Sequence, residues 1–167
     1  FKGYYTQTNG KGTMYYNEHM ASDVVYKQPN DMTVYAYWVD EEPPVVKLKA
    51  NSNTWTKSTI TLTAEASDLG TGLKSIVIYV LDSNGNATEV KSNTSLNGAK
   101  SASLSYDNPT EGAIRYKAVA TDVSGKTSES YFTVYYDKTA PNIRENQTSI
   151  NGNTFYFDLD ISDIKPQ

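Results

Sequence analysis

The sequence predicts an all-β chain, and three observations carry that reading. Strand-like segments with period-two alternation recur at close spacing between residues 45 and 136, each ended by Gly, Pro, Asn or Asp. Ser, Thr and Asn supply 49 of the 167 residues and Tyr 14 of the 20 aromatics, a composition suited to turns and half-wet pleated surfaces. The strong helix formers Leu, Ala and Glu are sparse. The length allows one ordinary domain or two small ones.

Composition also excludes function classes. There is no cysteine, hence no disulfide framework, thiolate zinc site or cysteine nucleophile. A single histidine leaves little scope for a metal centre or a triad. Net charge −4 argues against a nucleic-acid partner, which needs clustered Lys and Arg. Mean hydropathy is −0.58, and no apolar run approaches twenty residues, so no membrane insertion is expected. Phe1 opens inside a folded-looking segment without a signal peptide, as expected of a piece of a longer protein.

Three parts follow in order. In residues 1–39, Phe1–Thr6 and Thr13–Tyr16 are short strand candidates around the turn Thr8-Asn9-Gly10-Lys11-Gly12, and Met32–Val39 is a longer one. Residues 21–26 are open between a short helix and an irregular link. Asp40-Glu41-Glu42-Pro43-Pro44 is a linker stiffened by its prolines. Residues 40–136 then have the size of one β-sandwich, with seven strand candidates: 45–49, 58–66, 73–81, 88–92, 101–106, 113–121 and 128–136. Alternation places Ile60, Leu62, Ala64 and Ala66 on one inward face. Ile76, Ile78 and Val80 face them, with Tyr116, Ala118, Ala120, Phe132 and Val134 on the neighbouring strands. Tyr116 suits a tyrosine corner, its hydroxyl bonding backbone upstream.

Residues 137–167 repeat the start of the second part. Asp137-Lys138-Thr139-Ala140-Pro141 follows Asp40–Pro44 at an offset of 97, and Ile143 follows Val46. Phe155, Phe157, Leu159, Ile161 and Ser162-Asp163 follow Ile60, Leu62, Ala64, Ala66 and Ser67-Asp68 at an offset of 95. This reads as a linker and the first strands of a second module in a tandem array.

Two family resemblances attach to these segments. Phe1-Lys2-Gly3-Tyr4-Tyr5, Asn9-Gly10-Lys11-Gly12-Thr13 and Thr33-Val34-Tyr35-Ala36-Tyr37-Trp38 resemble the C-terminal half of a Listeria–Bacteroides repeat of the internalin B type, with Tyr4 where that family usually has Trp. The resemblance implies a partial β-grasp-like module, with the front half of that family's pattern lacking. Ala66–Leu73, Tyr116–Ser128 and Asp137–Pro141 are similar to segments of bacterial immunoglobulin-like domains. That resemblance implies an immunoglobulin-like sandwich of about seven strands, in families that string such domains together on cell surfaces and in secreted proteins.

Candidates for chemistry are few. His19 stands in a polar stretch and reads as a surface histidine. The glycine pairs at 10–12 and 70–72 lack the following helix that a phosphate cradle needs, and read as turns. Asp158 and Asp160 lie opposite an apolar row, on the solvated face of a strand. The linker acids Asp40, Glu41, Glu42 and Asp137 are calcium candidates, with Asp68, Asp122 and Asp163 in reach of the same junctions. Lys138 and Thr139 replace the two glutamates at the second junction, so a solvated hinge is the favoured reading, with no cofactor. Trp38 and Trp55 are the ligand-binding candidates. The aromatics of residues 1–39 are expected to fill a thin core rather than form a sugar platform. No lysine points inward for an isopeptide crosslink.

The expected function is that of a non-catalytic spacer or adhesion module of a bacterial cell-surface or secreted protein. A monomer is expected, and a host or cell-wall protein or glycan is the class of partner that such a module could meet, with none identified by the residues. The alternative is a carbohydrate-binding accessory module of a secreted glycoside hydrolase.

Overall fold

The computed structural model describes residues 1–27 and 30–163; the side chains at 146, 147, 150, 155 and 157 lie outside that description. The inward placement expected of Phe155 and Phe157 therefore lies outside the described residues. All secondary structure described is β-strand, in two compact units, Phe1–Glu42 and Pro43–Gln167.

The first unit is a three-stranded antiparallel sheet of order β2-β1-β3, made of β1 (Gly3–Tyr5), β2 (Met14–Asn17) and β3 (Tyr35–Tyr37). The strand expected over 32–39 is only three residues long, because its partner β1 offers only three residues for pairing. Residues 21–26 are irregular: the Asn17 side chain accepts the N–H groups of His19 and Ala21 and turns the chain away from helix. The aromatic core expected here is not formed. Gly3 is the one buried residue among those described, while Trp38 is 71% exposed and Tyr16, Tyr26 and Tyr35 are each more than two-fifths exposed. A single short layer cannot by itself bury rings. The rings instead pair with one another: Phe1 with Trp38 at 5.1 Å, Tyr5 with Tyr37 at 5.8 Å.

The second unit is built round an immunoglobulin-like sandwich. One sheet has the order β4-β5-β8, from β4 (Val45–Ala50), β5 (Thr61–Ser67) and β8 (Ser101–Asp107). The other has the order β10-β9-β6-β7, from β6 (Leu73–Leu81), β7 (Ala87–Asn93), β9 (Gly112–Asp122) and β10 (Thr127–Tyr136). Every strand is antiparallel to its neighbours. The seven expected strands all form. The largest shift in a boundary is at β5, which starts at Thr61 instead of Ser58, because residues 51–60 belong to a loop that bonds elsewhere.

The core follows the alternation. Ile60, Leu62 and Ala64 are fully buried and Ala66 nearly so; Ile76, Ile78, Ala118, Ala120 and Val134 oppose them at 0% exposure. Fully burying a branched aliphatic side chain contributes about 1.5–3 kcal/mol, so this row is the main stabilising term. Lys47 and Lys49 point outward, as the parity requires, and Lys49 pairs with Glu65 across the strands at 2.5 Å. β4 also reaches the other sheet: the Leu48 N–H donates to Ser130 Oγ at 2.9 Å.

Tyr116 is 1% exposed, and its hydroxyl donates to Asn108 Oδ1 at 2.7 Å. The expected corner exists, but its acceptor is a side chain instead of backbone. Asn108 is held in place by its own N–H, which donates to Ile60 O, and by its Nδ2, which donates to Thr110 O. Burial pushes the Tyr116 phenol well above its ordinary value, with Tyr106 adding to the shift. A raised folded-state value means stability is fully present below the ordinary phenol value and is lost as pH climbs past it.

β11 (Asn142–Asn151) and β12 (Thr154–Ser162) form a separate hairpin. Its register reproduces that of β4 and β5: Val46 pairs with Ala66 and Ile143 with Ile161; Lys47 pairs with Glu65 and Arg144 with Asp160. The match runs to the bulge between Glu145 and Gln147. On the hairpin Ile143, Leu159 and Ile161 are at least half exposed, where their counterparts Val46, Ala64 and Ala66 pack in the core.

Three stability outcomes are expected, all measured by chemical denaturation of the whole chain. Tyr116→Phe leaves Asn108 Oδ1 with the Thr110 N–H and costs about 1 kcal/mol. Asn108→Ala strands a buried hydroxyl and costs more, about 2–3 kcal/mol. Gly72 has φ +86°, and a Cβ there would run into the Gly98 carbonyl. Gly72→Ala is therefore expected to lower stability by about 1–3 kcal/mol, through strain at a left-handed position without relief from moving a flexible side chain.

Candidate functional site

The loop 51–60 clasps the end of β10. The Thr56 N–H donates to Tyr135 O at 3.2 Å, and the Asp137 N–H donates back to Thr56 O at 3.0 Å, making a short parallel bridge between Thr56 and Tyr136. That clasp lays the Trp55 indole against the Tyr135 ring, 5.5 Å between centroids and tilted by 57°. The following linker then turns sharply, because the Asp137 carboxylate accepts the Thr139 N–H and Thr139 Oγ1 donates to Glu111 at 2.7 Å. Between the clasp and the linker lies an open cavity of about 420 Å³, lined by Trp55, Lys57, Asp137, Lys138, Thr139 and Asp163 among others. Trp55 is half-buried and Asp137 buried; Lys57, Lys138, Thr139 and Asp163 are exposed.

Two of the sequence candidates, Trp55 and Asp137, thus meet in one cleft, with Asp163 beside them. His19, Trp38, Asp40, Glu41 and Glu42 lie in the first unit. Trp38 packs on Phe1 with the rings tilted by 57° and is 71% exposed. The Glu41 carboxylate pairs with Lys2 Nζ at 2.8 Å, which raises the lysine's ordinary value. Asp40 Oδ1 accepts the Glu42 N–H, and Glu42 is exposed. His19 is exposed, and so are Asp158 and Asp160.

At the opposite end of the sandwich Asp68 and Asp122 converge, with carboxylate oxygens within 4.8 Å of each other. Both are buried. Asp68 accepts the Gly72 N–H, and Asp122 Oδ1 accepts the Lys126 N–H at 2.8 Å while Ser124 Oγ donates to the same carboxylate. Each caps the turn that follows its strand, so the glycine pair at 70–72 serves as a turn. Lys100 Nζ closes the same end, donating to the Gly70 carbonyl at 2.5 Å.

One cluster escaped sequence reasoning. Tyr131, Lys117 and Tyr79 form a cross-strand row on the outer face of β10, β9 and β6. The Arg115 guanidinium lies 4.9 Å from the Tyr131 ring centroid and Lys117 Nζ 5.6 Å from that of Tyr79. The Tyr131 hydroxyl donates to Glu129 at 2.6 Å, and Lys117 reaches the same carboxylate at 3.1 Å. The outward parity of Arg115, Lys117 and Tyr131 was the available signal; their mutual distances required the sheet. Glu129 is held below its ordinary value, first by the Tyr131 hydroxyl and then by Lys117.

No family model matches the chain, and no curated protein matches it. Among solved structures, it is similar to the CARDB domain of a Pyrococcus furiosus protein, determined in complex with di-metal ions. The two share 15% identity with a TM-score of 0.39, over 56% of this chain and 91% of that one.

The lowered value of Glu129 fixes a sign. Its contribution to stability is present above the ordinary carboxylate range and is lost as pH falls through the folded-state value. Carboxylate-detected NMR titration is expected to place the Glu129 midpoint below that of a model peptide, and Tyr131→Phe to move it upward. An unchanged midpoint in the variant would show that the hydroxyl is not the main cause.

Proposed function

We propose that the chain is a non-catalytic segment of a bacterial cell-surface or secreted protein, acting as a structural spacer with an adhesive role. In this reading it resembles bacterial immunoglobulin-like domains in tandem, preceded by part of an internalin-type repeat. The observation that carries the proposal is the hairpin β11–β12, which repeats β4–β5 in sequence offset, strand pairing and cross-strand charge. Repetition of one sandwich along a chain extends reach without new chemistry. The clasp at Thr56 and the Asp137 turn support it further, since both fix the direction in which the chain leaves β10. Pro141 then holds φ and biases Ala140 toward extended backbone. The converging acids Asp68 and Asp122 are buried and engaged by turn donors, which favours a structural role over general acid–base chemistry.

A tandem series of residues 43–141, with one, two and three copies, tests the spacer reading by small-angle scattering. The maximum dimension is expected to grow linearly with copy number. Growth as the cube root, the signature of copies collapsing on one another, would refute it.

A further inference from the structure

We propose that the cleft between Trp55 and the 137–141 linker is a binding site for a neutral saccharide. This goes beyond the spacer role, which needs no ligand. The cavity of about 420 Å³ has the size of small-molecule sites. Its lining pairs one large aromatic with several hydrogen-bonding groups, the arrangement that suits a ligand with apolar C–H faces and a hydroxyl rim. The Trp55 indole lines the cavity and packs against Tyr135 at 5.5 Å between centroids, so the ring that would stack on a sugar is restrained before any ligand arrives. Asp137, Asp163 and Thr139 Oγ1 offer acceptors, and Lys57 and Lys138 offer donors.

Charge selects the class. Among the described residues, two carboxylates and two ammonium groups line the same cleft, so neither an anion nor a cation finds a surplus of opposite sign there. A neutral polyhydroxylated ligand uses both kinds of group at once, each hydroxyl donating to a carboxylate and accepting from an ammonium. The cavity opens to solvent, so a longer saccharide can extend from it with one ring at Trp55.

Nitrogen-15 NMR of the whole chain tests this. The two indole N–H resonances report on Trp55 and Trp38 separately. The probes are soluble tetrasaccharides of glucose, of xylose and of N-acetylglucosamine, with tetragalacturonate as the anionic control. At least one neutral probe is expected to shift the Trp55 indole and the Thr139 amide saturably, leaving Trp38 in place. Trp55→Ala is expected to abolish the shift at Thr139. Lys57→Ala with Lys138→Ala, both exposed and clear of the core, is expected to weaken binding about tenfold with an unchanged melting point. The proposal is overturned if no neutral probe shifts Trp55 up to its solubility limit, or if shifts fall on Trp38 alone. It is equally overturned if the anionic control binds more tightly than every neutral probe, or if the double lysine variant binds as well as the parent chain.

Discussion

The burial of one apolar row between two sheets holds the second unit together. Ile60 just before β5 and Leu62, Ala64 and Ala66 on it meet Ile76, Ile78, Ala118, Ala120 and Val134 across the sandwich. Small and large residues alternate in that interface, which lets facing side chains interdigitate at native density. Tyr116 is buried in the same core, its ring 5.9 Å from that of Tyr106, and its single polar atom is costly there unless bonded. Asn108 meets that need, and the bond ties the turn before β9 to the strand itself. Every loop at both ends hangs from strands whose register this row has fixed.

The first unit shows what happens without such a row. Its sequence is richer in aromatics than the sandwich, yet Gly3 is its one buried residue among those described. Three strands of three or four residues make a single layer, and rings need a second layer to be buried. They pack on each other instead, and Tyr16, Tyr26, Tyr35 and Trp38 remain substantially exposed.

The two ends of the sandwich use acids in different ways. At one end Asp68 and Asp122 are buried and cap turns, a role that Asp fills because its short carboxylate reaches backbone N–H groups two to four residues on. At the other end Asp137 caps the linker turn and at the same time lines a cleft with Trp55. The second arrangement leaves an aromatic surface and mixed polar groups facing solvent, and the first does not.

The sequence by itself determined the fold class, the seven strands and which side of each strand faces inward. Period-two alternation and turn residues are local, and they sufficed for β6, whose ends stand where the pattern places them. It also determined the repeat, because matching offsets survive in the letters. Only the tertiary structure decided what lies beside what. The meeting of Trp55 with Asp137 depends on a loop bonding to a strand some eighty residues later, and the Tyr131, Lys117 and Tyr79 row on pairing across three strands. The exposure of the first unit's rings was likewise invisible locally, since the same aromatic alternation reads as core or as surface until the number of layers is known. Asn108 as the partner of Tyr116 belongs here too: the hydroxyl's need for an acceptor is legible in a buried Tyr, but which atom meets it is set by how the turn folds back.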